Sequence, residues 1–126
     1  MIVGVGIDVV DVARFEQILD RRPALRIRLF TPAERGLAIA SLAARFAAKE
    51  AVLKILELNE IVPRWKSIEV RRSVGGRPEV ALHGEAAEIA RSQGIIEISL
   101  SISHGGGIAS ATVIAQATRR PIGAFQ

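Results

Sequence analysis

Four ionisable side chains stand out in this sequence because their types, taken together, suit phosphate chemistry. Asp8 follows a short apolar segment, Glu50 and Lys54 lie four residues apart in a helix-forming stretch, and His104 ends an alternating segment. Two carboxylates can hold a hard cation such as magnesium, and lysine and histidine can donate hydrogen bonds to the phosphate oxygens that such a cation binds. Phosphoryl transfer requires mainly this kind of positioning and charge neutralisation. Each residue also has a purely structural interpretation, because solvated ion pairs on helix surfaces show the same spacing.

The bulk composition excludes several other kinds of site. The chain has 126 residues, enough for a single domain, and no cysteine, which excludes thiol catalysis, disulfides and thiolate metal sites. Its net charge of +4 favours an acidic partner, and four phenylalanines, one tryptophan and no tyrosine are a poor supply for stacking on nucleic-acid bases. No signal peptide or membrane-spanning run is recognisable, so we expect a cytoplasmic protein without a membrane or nucleic-acid partner.

Hydrophobic periodicity predicts a central helix over residues 41–56. Neither glycine nor proline interrupts this stretch, Ser41 is the expected N-cap, and a stripe of apolar residues recurs at helical spacing: Leu42, Phe46, Leu53 and Leu56. Glu50 and Lys54 share one face of the helix, and Arg45 and Lys49 form a second pair with the same spacing. One apolar stripe is therefore expected to face a core, with two charged pairs beside it.

Shorter patterns predict an α+β fold around this helix. The expected elements are a buried strand over 2–7, a helix from 11 to about 22, a helix start at 31–34, a hairpin of strands 67–71 and 78–82, a helix over 85–93, and strands over 96–103 and 108–117. In the strand over 96–103, Ile96, Ile98 and Leu100 are expected on one face with Ile102. The domain spans 1–118, and residues 119–126 read as a tail.

Several motifs occur in a fixed order along the chain. They are Gly6-Ile-Asp8 with Asp11 and Arg14-Phe15, Phe30-Thr-Pro-x-Glu34, Arg45-Phe-Ala-Ala-Lys-Glu-Ala51 with Lys54, Ile68-Glu-Val70, and Ser101-Ile-Ser-His104. In this combination the chain resembles the short-form 4′-phosphopantetheinyl transferases of the holo-[acyl-carrier-protein] synthase type. The resemblance runs from about Val3 to Ala115. It implies the phosphopantetheinyl transferase fold, a mainly antiparallel sheet packed against a long central helix.

The resemblance also implies an activity: magnesium-dependent transfer of 4′-phosphopantetheine from coenzyme A to a serine of an apo acyl carrier protein, which releases adenosine 3′,5′-bisphosphate. Asp8 and Glu50 match the metal-binding carboxylates, and Lys54 and His104 match positions that contact the phosphates. Arg45 and Lys49 are expected at the 3′-phosphate or the adenine end of coenzyme A. The base for the serine is either Glu50 or a metal-associated water.

Two further interpretations concern Glu34 and the protein surface. Glu34 either closes a capping box with Thr31 or assists catalysis through water, and the capping box alone accounts for it. The first helix is expected to dock an acidic helix of the carrier through Arg14, Ile18 and Arg21.

The resemblance further implies a homotrimer with the coenzyme A cleft between neighbouring subunits. The carrier's pathway, whether fatty-acid, polyketide or other synthesis, is left open. The sequence departs from the family pattern in residues 55–60, which lack the usual glycines, and in the short segment between Glu34 and Ser41. A non-catalytic carrier-binding subunit of the same fold is the alternative to an enzyme.

Overall fold

A long helix lies across a three-stranded antiparallel sheet, and a separate β-hairpin packs beside the helix. The computed structural model describes residues 1–58 and 61–118. In chain order the elements are β1 (Ile2–Asp11), α1 (Val12–Arg21), α2 (Ala24–Leu29), α3 (Pro32–Arg35), α4 (Ile39–Ile55), a 3₁₀ turn (Trp65–Ser67), β2 (Ile68–Arg72), β3 (Pro78–Leu82), α5 (Gly84–Ser92), β4 (Ile95–Gly105) and β5 (Ile108–Ala117). Among these described residues, no helix is both long and apolar enough to cross a membrane.

The main sheet has the strand order β1-β5-β4, and α4 packs on one of its faces. The central strand β5 contributes small buried side chains to that face: Ala109, Ala111, Val113 and Ala115. Such small residues let the helix lie close to the sheet. The approach is tightest at Gly6, where an added Cβ would overlap the carbonyl oxygen of Ala51. The predicted α+β class, with an antiparallel sheet on a central helix, is confirmed.

Helix α4 is buried on almost all sides, which corrects the prediction of a single apolar stripe. It begins at Ile39, two residues before Ser41, and its N-cap residue Ala38 makes no side-chain hydrogen bond. Its many alanines give it several faces thin enough to pack: Ala43, Ala44, Ala47, Ala48 and Ala51 are all buried. A helix that packs on several of its faces in this way belongs in a core, including the parts that carry charge. Its charged residues must therefore find partners on neighbouring elements.

Two of the predicted strands differ in detail from the structure. Strand β1 continues to Asp11, so Asp8 lies within a paired strand instead of at a strand end. Strand β4 has an irregularity between Ile95 and Glu97, and Ile96 is 64% exposed instead of sharing the apolar face. A one-residue bulge moves a side chain out of the alternation, which explains the error. The predicted hairpin of β2 and β3 is confirmed, and β4 and β5 also pair antiparallel. Residues 59–60 and the predicted tail at 119–126 lie outside the described residues.

Candidate active site

Strand β1 and the C-terminal half of α4 bring Asp8, Glu50 and Lys54 together. The Lys54 Nζ donates hydrogen bonds to the Ile7 carbonyl oxygen at 2.7 Å and to Asp8 Oδ1 at 3.2 Å. The Lys54 side chain is half exposed, so its ammonium group is open to an incoming ligand. The close approach of β1 to α4 at Gly6, two residues earlier, sets this distance.

Glu50 lines the same cleft as Asp8, a concavity of about 290 Å³. Partial burial raises the pKa of Glu50, the negative charge of Asp8 raises it further, and the positive charge of Lys54 opposes both effects. Two carboxylates that repel each other in a partly dry cleft create a place where a cation is favourable. The predicted convergence of Asp8 and Glu50 on one cavity is what the structure shows.

The donor set of this cleft fits magnesium better than a metal held only by protein. Among the described residues, no group of three or more Asp, Glu, His or Cys side chains could hold a metal ion. Asp8 and Glu50 supply two carboxylates. Magnesium keeps several waters and is usually bound by one or two carboxylates together with substrate phosphates. The residues present therefore suit a magnesium ion whose coordination a diphosphate completes.

The cleft continues to helix α1, where the predicted carrier-docking residues lie. Arg14 and Ile18 line it together with Phe15 and Phe46. The rings of Phe15 and Phe46 stack with their centroids 5.0 Å apart, which fixes α1 on α4. Ile18 is 40% exposed, and Arg21 lies exposed in the last turn. Two of the three predicted docking residues, Arg14 and Ile18, therefore border the same cleft as the two carboxylates.

Lys49 is a buried structural residue. Its side chain is fully buried, and its Nζ donates to Glu34 Oε1 at 2.8 Å and to the carbonyl oxygens of Leu29 at 2.7 Å and Trp65 at 3.3 Å. These three acceptors use all three protons of the ammonium group. Burial lowers the pKa of Lys49, and the hydrogen bond and charge of Glu34 oppose that shift. We therefore correct the prediction that Lys49 contacts the nucleotide end of coenzyme A.

Glu34 has a larger role than the sequence indicates. It accepts a hydrogen bond from the Thr31 N–H at 2.9 Å, as the capping box predicts, but also from Lys49 and, at 3.0 Å, from the Val70 N–H. This buried carboxylate ties α3, α4 and β2 together and does not line the cleft of Asp8. Sequence reasoning missed the tie because its partners are distant in the chain. The signal available in the sequence was Lys49 itself, a charged residue that directly follows two alanines in an apolar stretch.

Arg45 and Glu50 lie on different sides of α4. Glu50 is coupled electrostatically to Asp8 and Lys54, whereas Arg45 is coupled to Glu34 and to Arg72 of β2. The Arg45 side chain is nearly buried. Within one chain, Arg45, predicted to bind the nucleotide, therefore lies on a different side of α4 from Glu50, the predicted metal ligand.

Comparison with known proteins identifies the family. A family model described as the 4′-phosphopantetheinyl transferase superfamily matches residues 4–111. The chain belongs to this superfamily. A holo-[acyl-carrier-protein] synthase of Beutenbergia cavernae is 56% identical over 116 residues, which cover 92% of this chain and 99% of that protein.

Solved structures of the superfamily show the same fold. Helicobacter pylori holo-[acyl-carrier-protein] synthase in complex with coenzyme A is 31% identical, with a TM-score of 0.78 and coverage of 90% of this chain and 100% of that one. Holo-ACP-synthase from Plasmodium yoelii is 29% identical, with a TM-score of 0.82 and coverage of 94% and 98%.

In this member of the 4′-phosphopantetheinyl transferase superfamily, His104 lies apart from the other three predicted catalytic residues of its own chain. His104 lies near the end of β4 and pairs with Ala109 of β5, which in turn pairs with Val10 of β1. Two strand spacings of about 4.8 Å each therefore separate its backbone from β1. His104 does not line the cleft of Asp8. A single chain thus assembles three of the four predicted catalytic residues.

Proposed function

We propose that this protein transfers the 4′-phosphopantetheine arm of coenzyme A to a serine of an apo acyl carrier protein and releases adenosine 3′,5′-bisphosphate. The observation that carries this proposal is the convergence of Asp8 and Glu50 in one cleft bordered by Arg14 and Ile18, with Lys54 hydrogen-bonded to Asp8 beside it. Relatives named holo-[acyl-carrier-protein] synthase, and one such relative solved with coenzyme A, support the choice of substrates.

The reaction exchanges one phosphorus–oxygen bond for another. The serine oxygen of the carrier bonds to the β-phosphorus, and the bond from that phosphorus to the bridging oxygen breaks, so the α-phosphate leaves with the nucleotide. Asp8 and Glu50 would hold magnesium, which when bound neutralises diphosphate charge and polarises the phosphorus. The Lys54 ammonium group donates to the phosphate oxygens. Either Glu50 or a water in the cleft accepts the serine proton.

The carrier docks on helix α1 in this proposal. Arg14 and Arg21 present positive charge on the exposed side of the helix, with Ile18 between them as an apolar contact. An acidic helix of the carrier matches this pattern in charge. Exposed pairs of this kind act mainly on the association rate and weaken with salt, because each contributes only about 0 to 1 kcal/mol.

We propose further that the protein is a homotrimer whose coenzyme A clefts lie between subunits. Val5, Ile7 and Val9 project from β1 on the sheet face away from α4 and are 64%, 59% and 59% exposed. A row of exposed apolar residues on a sheet face is typical of a protein interface. His104 of a neighbouring subunit would then supply the phosphate contact that its own chain does not bring to the cleft.

The trimer is tested by light scattering on matched variants. Ile7→Glu places a charge on the exposed sheet face, and we expect it to give monomers with little transferase activity. Ile27→Glu is the control, because Ile27 is similarly exposed at 57% but lies on α2. A wild-type monomer with full activity would contradict the shared cleft.

The activity is tested by mass spectrometry of an apo carrier incubated with coenzyme A and magnesium. Wild type should add the phosphopantetheine mass, and Asp8→Asn and Glu50→Gln should remain folded but inactive. Glu57→Gln removes the same charge from an exposed residue beyond α4 and should keep activity. Activity that survives complete metal removal would contradict the role of magnesium. Carrier binding without any coenzyme A binding in calorimetry would instead favour the non-catalytic alternative.

A further inference from the structure

Arg45 is a buried cation with an unpartnered donor. Its side chain is 5% exposed, and within residues 1–58 and 61–118 its Nε has no hydrogen-bond partner. A buried polar group without a partner is costly, and a guanidinium group offers five donors in a planar fork suited to phosphate. An anionic ligand would therefore supply the hydrogen-bond partner that the buried Arg45 Nε lacks.

The hairpin strand β2 brings a second arginine to the same place. Ile68 packs in the same core cluster as Val52 of α4, and Val70 packs with Ala48, which lies one helical turn earlier. Successive same-face residues of β2 therefore step toward the N-terminus of α4. The next residue on that face of β2 is Arg72.

The electrostatics agree with this placement. Burial lowers the pKa of Arg45, Glu34 raises it, and the positive charge of Arg72 lowers it. The Arg72 side chain is exposed, with one N–H donated to the Gly76 carbonyl oxygen at 2.7 Å. Its remaining donors are available to a ligand beside Arg45.

Glu34 and Glu69, whose charges act on Arg45 or on Lys49 in the same helix, already have partners. Glu34 accepts hydrogen bonds from Thr31, Lys49 and Val70. Glu69 accepts from the Thr31 hydroxyl at 2.6 Å and lies 3.3 Å from His83 Nε2. Neither carboxylate makes a salt bridge with an arginine of this pair among the described residues. Glu34 therefore acts on Arg45 through its charge alone, and neither guanidinium group is held in a salt bridge by these carboxylates.

Two adjacent arginines suit a group with two negative charges, and a phosphate monoester is such a group. Coenzyme A carries one phosphate monoester, on the 3′-oxygen of its ribose. We propose that Arg72 joins Arg45 in binding this 3′-phosphate and is a residue by which the protein distinguishes coenzyme A from dephospho-coenzyme A. This inference deepens the proposed function and rests on coenzyme A being the substrate.

The test compares two neighbouring arginines. Arg72→Gln removes the charge beside Arg45, whereas Arg71→Gln removes the same charge from the opposite face of β2, where Arg71 Nε contacts Glu79 at 3.2 Å. Calorimetry measures the affinity of each variant for adenosine 3′,5′-bisphosphate and for AMP, which lacks the 3′-phosphate. Turnover with coenzyme A and dephospho-coenzyme A is measured alongside.

Wild type should bind the bisphosphate more tightly than AMP, and Arg72→Gln should reduce that preference about tenfold, as expected for one charge-assisted hydrogen-bonding partner. Arg71→Gln should keep it. A preference that Arg72→Gln retains, that Arg71→Gln loses equally, or that wild type lacks would overturn the inference. If wild type makes no holo carrier while the preference still depends on Arg72, the proposed function falls and the phosphate site stands.

Discussion

The buried pair of Glu34 and Lys49 should be one of the most sensitive points in the fold. Lys49→Met keeps the length of the side chain and removes its ammonium group. Glu34 is then left as a buried carboxylate without a cation, although the N–H groups of Thr31 and Val70 still donate to it. The carbonyl oxygens of Leu29 and Trp65 lose a donor at the same time.

The size of the effect follows from these contacts. Removing one partner of a buried ion pair costs about 3–5 kcal/mol. Each carbonyl left without a donor adds up to about 1–3 kcal/mol, less whatever water or local movement restores. We therefore expect Lys49→Met to lower the free energy of unfolding by at least about 3 kcal/mol, a large part of the 5–15 kcal/mol that is typical of a domain.

Urea denaturation of five proteins measures this. Besides wild type and Lys49→Met, the set includes Glu34→Gln and the double variant, which should cost less than the sum of the single changes because the two residues share one interaction. Lys54→Met is the control, because Lys54 is half exposed and its loss should cost under about 1 kcal/mol while abolishing activity. A cost below about 1 kcal/mol for Lys49→Met, or strict additivity of the double variant, would refute this account of the pair.

Three other predictions address the packing, the pH dependence and the docking surface. Gly6→Val should destabilise the fold by about 3 kcal/mol or more in urea denaturation, because its side chain would overlap the backbone of α4; Gly36→Val, at a site with open space, is the control. The Thr31 hydroxyl, as the main cause, lowers the pKa of Glu69, so its charged form stabilises the fold above pH 4.5 and that contribution is lost as pH falls through the lowered folded-state pKa. Glu69→Gln should flatten the stability profile in this acidic window, and an unchanged profile would contradict the assignment. The double variant Arg14→Glu, Arg21→Glu should raise the KM for the carrier and reduce the salt dependence of that KM, with kcat nearly unchanged. A loss confined to kcat would count against docking on α1.

Much of the fold could be predicted from local patterns because these patterns report the structure directly. The alternation before His104 predicted β4, and the hairpin signal predicted the pair β2–β3. The helix predicted from Asp11 begins there, and the Asp11 carboxylate caps it by accepting a hydrogen bond from the Arg14 N–H at 3.0 Å. The structure also confirms the Glu34 half of the capping box.

The errors arise where tertiary packing decides. The burial of Lys49 depends on carbonyl groups 20 residues before it and 16 residues after it, which no local window includes. The bulge at Ile96 depends on its pairing with β5, so the alternation alone placed this residue on the wrong face. Residue types and the family resemblance both grouped His104 with Asp8, whereas the strand order of one chain places β5 between their strands. The roles of these residues toward ligands stay predictions.

The direct join between β1 and α1 has a consequence for the choice of carrier. Asp8 and the helix cap Asp11 belong to one strand whose register β5 holds at Ala111 and Ile108, and Val12 N–H bonds the Gly107 carbonyl oxygen at 2.9 Å. Three residues of paired backbone thus fix the distance between the proposed docking surface for the carrier and the proposed catalytic cleft. Under the proposed docking, the protein would modify only a carrier whose serine lies at the matching distance from its acidic helix.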